Sequence, residues 1–92
     1  MIGSFADRRL KRLFERGDAR RLDPRDVDRI RLVLQRLNLA LQVEDLDLHS
    51  YRLHRLTGNL AGFWSITVRA NWRIIFRFDN GKAYEIELID YH

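Results

Sequence analysis

The strongest constraint on this chain lies in its last third, where large apolar residues alternate with polar ones in three successive runs. Trp64, Ile66 and Val68 form the first. Trp72, Ile74, Phe76 and Phe78 form the second, and Tyr84, Ile86 and Leu88 the third. Alternation with a period of two means strands with one buried face. Opposed residues of an antiparallel pair share a face, so Trp64, Ile66 and Val68 are expected opposite Phe76, Ile74 and Trp72. That pairing requires the odd-length loop Arg69-Ala70-Asn71, with Asn71 as its left-handed residue. The same logic sets Phe76, Ile74 and Trp72 against Tyr84, Ile86 and Leu88, across the loop Asp79-Asn80-Gly81. A type I turn closing on a left-handed Gly81 bulge fits it. A two-residue Asn80-Gly81 turn would bring Phe76 opposite Glu85, and is rejected on that ground. In this register Arg73 lies between Thr67 and Glu87 on the other face. The meander runs out on Asp90-Tyr91-His92, a carboxylate, a phenol and an imidazole.

Upstream the pattern is helical. Residues 2–5 are short and apolar and read as an edge strand. Residues 6–16 place Leu10, Leu13 and Phe14 on one side, and Gly17 ends this amphipathic helix. Asp23-Pro24 reads as the next helix start, with Asp23 as cap, Pro24 in the first turn, and Asp26 and Asp28 at the positive dipole end. Val27, Ile30, Leu34, Leu37 and Leu41 follow at helical spacing, with Leu32, Val33 and Leu39 widening the stripe. The helix is expected to end near Leu37 and Asn38, and residues 40–46 to add a further turn. Tyr51-Arg-Leu-His-Arg-Leu56 alternates again and reads as a strand or extended segment. The expected order is one strand, two helices and four strands. That is an α+β fold, two N-terminal helices packed on one face of a small, mainly antiparallel sheet, in a single domain over residues 1–92.

At 92 residues the chain suffices for one core, burying roughly 60–65% of its unfolded surface. The absence of cysteine excludes disulfides and thiolate metal sites. His49, His54 and His92 lack the paired spacing of a zinc framework, so no metal and no cofactor is expected. No apolar run approaches a membrane span and no signal-peptide core is visible, so a cytoplasmic protein is expected. The net charge of +4 points to a polyanionic partner. Arg8, Arg9, Arg12 and Arg16 line the first helix, and Arg29, Arg31 and Arg36 the second. A local ion pair explains any one of them. Together with Lys11, Arg20, Arg21 and Arg25 they make a basic surface. Gly58 and Gly62 match no phosphate-loop spacing and read as turns.

Across essentially its whole length the chain resembles the HigB-type toxins of the RelE/ParE superfamily, from bacterial toxin–antitoxin modules. The resemblance is carried by Tyr51-Arg-Leu-His54, by Gly62-Phe-Trp-Ser-Ile-Thr-Val-Arg-Ala-Asn-Trp-Arg-Ile74 and by the terminal Asp90-Tyr-His92. Met1-Ile-Gly-Ser-Phe5 and Leu13-Phe-Glu-Arg-Gly17 also fit. It implies a RelE/ParE-like fold and a toxin that cuts mRNA in the ribosomal A site. Such a toxin is restrained by a HigA-like helix-turn-helix antitoxin. It implies site residues at His54, Arg73, Asp90, Tyr91 and His92. One departure stands out: Thr57 occupies the position of a basic lysine in close relatives, with Arg55 the nearby substitute. The expected partners are the 70S ribosome (rRNA), mRNA and the antitoxin, with a monomer when free and a hetero-oligomer with antitoxin.

The implied chemistry is metal-independent. A base removes the proton of the substrate's 2′-hydroxyl, the oxygen attacks the adjacent phosphorus, and an acid protonates the leaving 5′-oxygen. His54 is the candidate base and His92 the candidate acid, since the adjacent α-carboxylate favours an imidazolium there. Arg73 would neutralise the transition state. Asp90 would orient an imidazole or bond a ribose hydroxyl, and Tyr91 would stack on a base or bond a phosphate. Arg8, Arg9, Lys11, Arg12, Arg16, Arg20, Arg21 and Arg55 would hold ribosomal RNA. Taken alone, His54 reads as a surface residue, Asp90-Tyr91-His92 as a polar tail and Arg73 as a partner of Glu87. A non-catalytic, ParE-like module that binds gyrase is the competing function, and tuning of antitoxin binding to DNA is a further, compatible one.

Overall fold

The computed structural model describes residues 1–91. Two helices, α1 (Arg8–Arg16) and α2 (Val27–Leu39), precede strands β1 (His54–Arg55), β2 (Trp64–Arg69), β3 (Trp72–Asp79) and β4 (Lys82–Asp90). The strands form one antiparallel sheet in the order β1-β2-β3-β4. Leu10 and Leu13 of α1 and Ile30, Val33, Leu34 and Leu37 of α2 pack with Ile66, Ile74, Phe76 and Ile86 of the sheet into one core. The expected α+β architecture is therefore the observed one. Residues 2–5 keep the expected edge position, as isolated parallel bridges from Ile2 to Ala83 and Phe5 to Ile86 on β4.

Several expected boundaries shift. The second helix begins at Val27, because Asp23 closes a turn instead of capping. Its carboxylate accepts the Arg25 amide at 2.9 Å and its carbonyl accepts the Asp26 amide at 2.9 Å. Asp26, the residue before the helix, receives two hydrogen bonds from Arg69 at 2.7 and 3.1 Å. Leu32, Leu39 and Leu41 lie outside the core. Leu32 and Leu39 fall on the far side of the helix from Ile30, Val33, Leu34 and Leu37. Leu41 follows Ala40, where the backbone has turned extended. The expected strand over residues 51–56 shrinks to His54–Arg55, because Tyr51 closes a short 3-10 turn and Arg52 is left-handed (φ 48°).

Both hairpin turns are tighter than expected, and each is reconciled with the alternation by a bulge. Trp64 opposes Phe76 and Ile66 opposes Ile74 as expected, but Arg69, not Val68, opposes Trp72. The turn is Ala70-Asn71, with the left-handed residue at Ala70 (φ 51°) and not at Asn71. In the second hairpin Asp79 opposes Lys82 across the two-residue Asn80-Gly81 turn, against the expectation from the alternation. Asn80 and Gly81 both have positive φ (49° and 73°), as a type I′ turn requires. The register then shifts between Ile75 and Arg77, with Glu85 left-handed (φ 52°). Ile74 consequently opposes Leu88, not Ile86, and Arg73 opposes Ile89, not Glu87.

One buried carboxylate ties α1 to the sheet. Asp7 caps α1 by accepting the Arg9 amide at 3.0 Å, receives the Arg9 guanidinium at 3.1 and 2.8 Å, and accepts the Leu88 amide of β4 at 3.1 Å. Arg9 in turn donates to the Leu88 carbonyl at 3.2 Å. Burial pushes the Asp7 carboxyl up, but the Arg9 hydrogen bonds and charge and the Leu88 amide outweigh it. The net result lies below the ordinary value of 3.8. A carboxyl lowered on folding stabilises the fold above its unfolded value, and that contribution is lost as pH falls through the lower, folded value.

Two outcomes follow for stability. Asp7→Ala is expected to cost about 2–3 kcal/mol at neutral pH, combining a lost cap with a buried amide left without an acceptor. In urea titrations the gap from wild type should narrow as pH drops below 3.8; a constant gap would contradict the linkage. Ala70→Gly should raise stability by roughly 0.5–1 kcal/mol, because left-handed alanine is strained and glycine returns part of the gain as chain entropy. An unmoved or lowered urea midpoint would count against it.

Candidate functional site

Opposed residues share a face, so the register maps the face turned away from the helices. One row across it is His54, Ser65, Ile75 and Glu87, and the next is Thr67, Arg73 and Ile89. His54 and Arg73 therefore lie on the same outer face, two strands and two residues apart. Strand spacing of about 4.8 Å and a rise of about 3.4 Å put their Cα atoms roughly 12 Å apart. An arginine stem and a substrate group between them span that gap.

Arg73 is held from two sides. Its Nη1 donates to Thr67 Oγ1 at 2.5 Å, and its guanidinium lies 6.0 Å from the centre of the Tyr91 ring. Tyr91 is fixed by its own amide, which donates to the Asn71 carbonyl at 2.8 Å and carries the β3–β4 ladder one residue further. Arg73 Nε and Ser65 Oγ are buried with no hydrogen-bond partner among the described residues. The alternative pairing of Arg73 with Glu87 is not formed, since Glu87 opposes Ile75. His54 is exposed, and its Nδ1 lies 3.3 Å from the Arg52 carbonyl oxygen. That contact favours the tautomer with hydrogen on Nδ1, which leaves the Nε2 lone pair for chemistry.

The remaining expected site residues fall as follows. Asp90 is exposed and opposes Trp72, so the register gives it the helix-side face, whereas Arg73 and Tyr91 take the outer one. His92 lies outside the described residues. Thr57 is exposed, just before the Gly58–Leu60 turn. Arg55 opposes Trp64, and its guanidinium lies 5.3 Å from that ring; the register does not bring it beside His54.

The other expected RNA contacts do gather. Arg9, Arg12, Arg16, Arg20 and Arg21, with Asp18, line a concavity of about 460 Å³. Arg8, Lys11, Arg12, Glu15 and Arg16 line a second of about 350 Å³. Arg9 and Arg20 are paired with Asp7 and Asp18, so local ion pairs account for those two. Among the described residues no ion pair holds Arg8, Lys11, Arg12, Arg16 or Arg21, and these keep the surface basic.

Arg29 plays a part the sequence did not reveal. Its Nη2 donates to the Ser50 and Thr67 carbonyls at 2.5 and 3.0 Å, and its guanidinium lies 5.1 Å from the Tyr51 ring. It thus ties α2 to the segment leading into His54 and to the residue that holds Arg73. Nothing in a helical arginine's spacing signals such a role.

Comparison with known proteins places the chain in a family. The family model for HigB-like toxins, RelE-like toxins of type II toxin–antitoxin systems, covers residues 3–92. The chain belongs to the HigB-like toxin family. It is 49% identical over 92 residues to the endoribonuclease HigB of Proteus vulgaris, with all of both chains aligned. No helix among the described residues is long and apolar enough to cross a membrane. As a type II toxin it has an antitoxin as partner.

Thr67→Val tests how this toxin seats Arg73. Removing the acceptor is expected to cost about 1–2 kcal/mol in urea unfolding and to move the Tyr91 ring resonances in NMR spectra. A variant with wild-type stability and unmoved Tyr91 signals would show that Thr67 does not hold the guanidinium.

Proposed function

We propose that this toxin is a ribosome-dependent endoribonuclease that cleaves mRNA in the ribosomal A site. The observation that carries the reading is the outer face of the sheet, where an exposed imidazole, His54, shares a surface with a guanidinium backed by Thr67 and Tyr91. Membership in the HigB-like family and likeness to a protein named an endoribonuclease support it. Cleavage by the 2′-hydroxyl needs a base, a cation over the phosphorus and an acid. His54 Nε2 takes the 2′-hydroxyl proton. The 2′-oxygen forms its bond to phosphorus as the bond to the 5′-oxygen breaks, and His92 gives that oxygen its proton. Arg73, fixed before substrate arrives, neutralises the charge that builds on the phosphoryl oxygens. Tyr91 stacks on a base or bonds a phosphate, whereas Asp90, on the helix-side face, takes no step in this scheme. No metal takes part in this scheme.

The α1 arginines bind ribosomal RNA in the same reading, and a HigA-like helix-turn-helix protein is the antitoxin. The test is purified toxin with programmed ribosomes, mapping new 5′ ends on the message. Wild type should cut in the A site. His54→Ala should slow single-turnover cleavage by about 10²–10⁴-fold and Arg73→Ala by about 10²–10³-fold. Intact message alongside inhibited gyrase would replace this reading with the binding one.

A further inference from the structure

A third row completes the outer face. The Leu56 amide donates to the Phe63 carbonyl at 2.9 Å, continuing the β1–β2 ladder. Phe63 thereby takes the same face as Ser65. Arg77 shares the face of Arg73 and Ile75 on β3, and its guanidinium lies 4.3 Å from the centre of the Phe63 ring. His54 therefore stands in the middle row, with Arg73 and Tyr91 on one side and Arg77 and Phe63 on the other.

The Arg77 side chain is seated, although it is close to half exposed. Nε donates to Glu85 at 2.6 Å across the bulge. Gly62 leaves room for the other end, since a Cβ there would stand 2.5 Å from Arg77 Nη1. A ring, a carboxylate and a bare backbone thus hold the guanidinium in place on the outer face of the sheet. Glu85 offsets its charge, so what Arg77 offers is a flat, polarisable plane more than a free cation. Flat guanidinium and aromatic groups are what unstacked bases of single-stranded RNA stack on.

We propose that the Arg77–Phe63 pair is a base-stacking platform for a nucleotide flanking the cut. It is a specificity element of the nuclease site, and it rests on the nuclease reading. Four residues of β3 separate Arg77 from Arg73, or roughly 14 Å. That is about four times the ~3.4 Å rise of stacked nucleotides, so the platform meets a nucleotide up to about four positions from the scissile one and not that nucleotide itself. With the phosphate at Arg73 and one base on Arg77, the strand between them passes over His54.

The experiment compares wild type, Arg77→Ala, Arg77→Lys and Glu85→Gln on programmed ribosomes whose messages vary one base at a time around the cut. Gln35→Ala on α2 is the control. Arg77→Ala should raise the toxin concentration for half-maximal cleavage roughly 10-fold, leave the saturating rate within about 3-fold, and erase a purine–pyrimidine preference at one flanking position. Arg77→Lys keeps the charge but not the plane and should behave like alanine. Glu85→Gln keeps the plane but loosens it, and should fall between. Full rescue by lysine, or an unaltered base preference in well-folded Arg77→Ala, overturns the platform.

A second arm separates this inference from the nuclease reading. A 2′-O-methyl RNA hexamer, which cannot be cleaved, carries 2-aminopurine at successive positions and is titrated with free toxin. Quenching by wild type at one position, lost in Arg77→Ala, supports the platform even if no message is cut. The absence of quenching at every position overturns it even if cleavage is found.

Discussion

One surplus residue in β4 sets the geometry on which the site depends. The Asn80-Gly81 turn, continued without interruption, would oppose Ile74 with Glu87 and Arg73 with Leu88. A carboxylate would then enter the core and a leucine would leave it. Glu85 absorbs the mismatch by taking a left-handed backbone, and its amide, displaced from the ladder, donates to Ser4 Oγ at 2.9 Å. Past this bulge Ile74 opposes Leu88 and Arg73 opposes Ile89. Tyr91, two residues on, returns to the face of Arg73. The bulge both keeps the core apolar and delivers the phenol to the guanidinium, as bulges beside active sites do.

The chain divides its arginines by task. Those of α1 and the following loop line concavities on the helix side, where they form a diffuse cationic surface suited to phosphate backbones. Arg73 and Arg77 on the outer face are instead held by specific neighbours, a hydroxyl and a phenol for one, a carboxylate and a phenyl ring for the other. Arg69 and Arg29 are structural, clamping α2 to β2 through Asp26 and through the Thr67 carbonyl. The same residue type thus supplies long-range attraction, local geometry and internal bracing, and only the surroundings distinguish the three.

Much of this was legible beforehand because strand alternation and helix spacing are local. The faces of Trp64, Ile66, Ile74 and Phe76 and the stop at Gly17 follow from period and from backbone freedom alone. Residues that depend on what passes overhead were harder. Leu41 belonged to the helical stripe but sits past the end of α2, and Asp23 had the chemistry of a cap but closes a turn. The register of the second hairpin could not be read, because two solutions satisfy the alternation: a wide loop, or a tight turn followed by a bulge. The Asn-Gly pair favours the tight turn, and the bulge hides in an ordinary glutamate. In the site, His54, Arg73 and Tyr91 lie in the motifs that carry the family resemblance and share one face. Asp90 shows how one step along a strand reverses the side, and Arg55 does the same at β1. Phe63 and Arg77 give no sequence signal because they lie fourteen residues apart, and Arg29, expected on the basic face of the second helix, braces the fold instead.

The segment lying along β4 has a consequence beyond its modest length. A sheet margin with unmet amides and carbonyls invites another chain to add itself as a further strand. Here residues 2–5 occupy that margin, with the Gly3 amide on the Ala83 carbonyl at 2.7 Å and the Ala6 amide on the Ile86 carbonyl at 3.0 Å. The opposite margin, β1, is only two residues long and gives a template too short to extend. A toxin built this way resists self-polymerisation on either flank, so recognition falls to side chains and not to main-chain zippering.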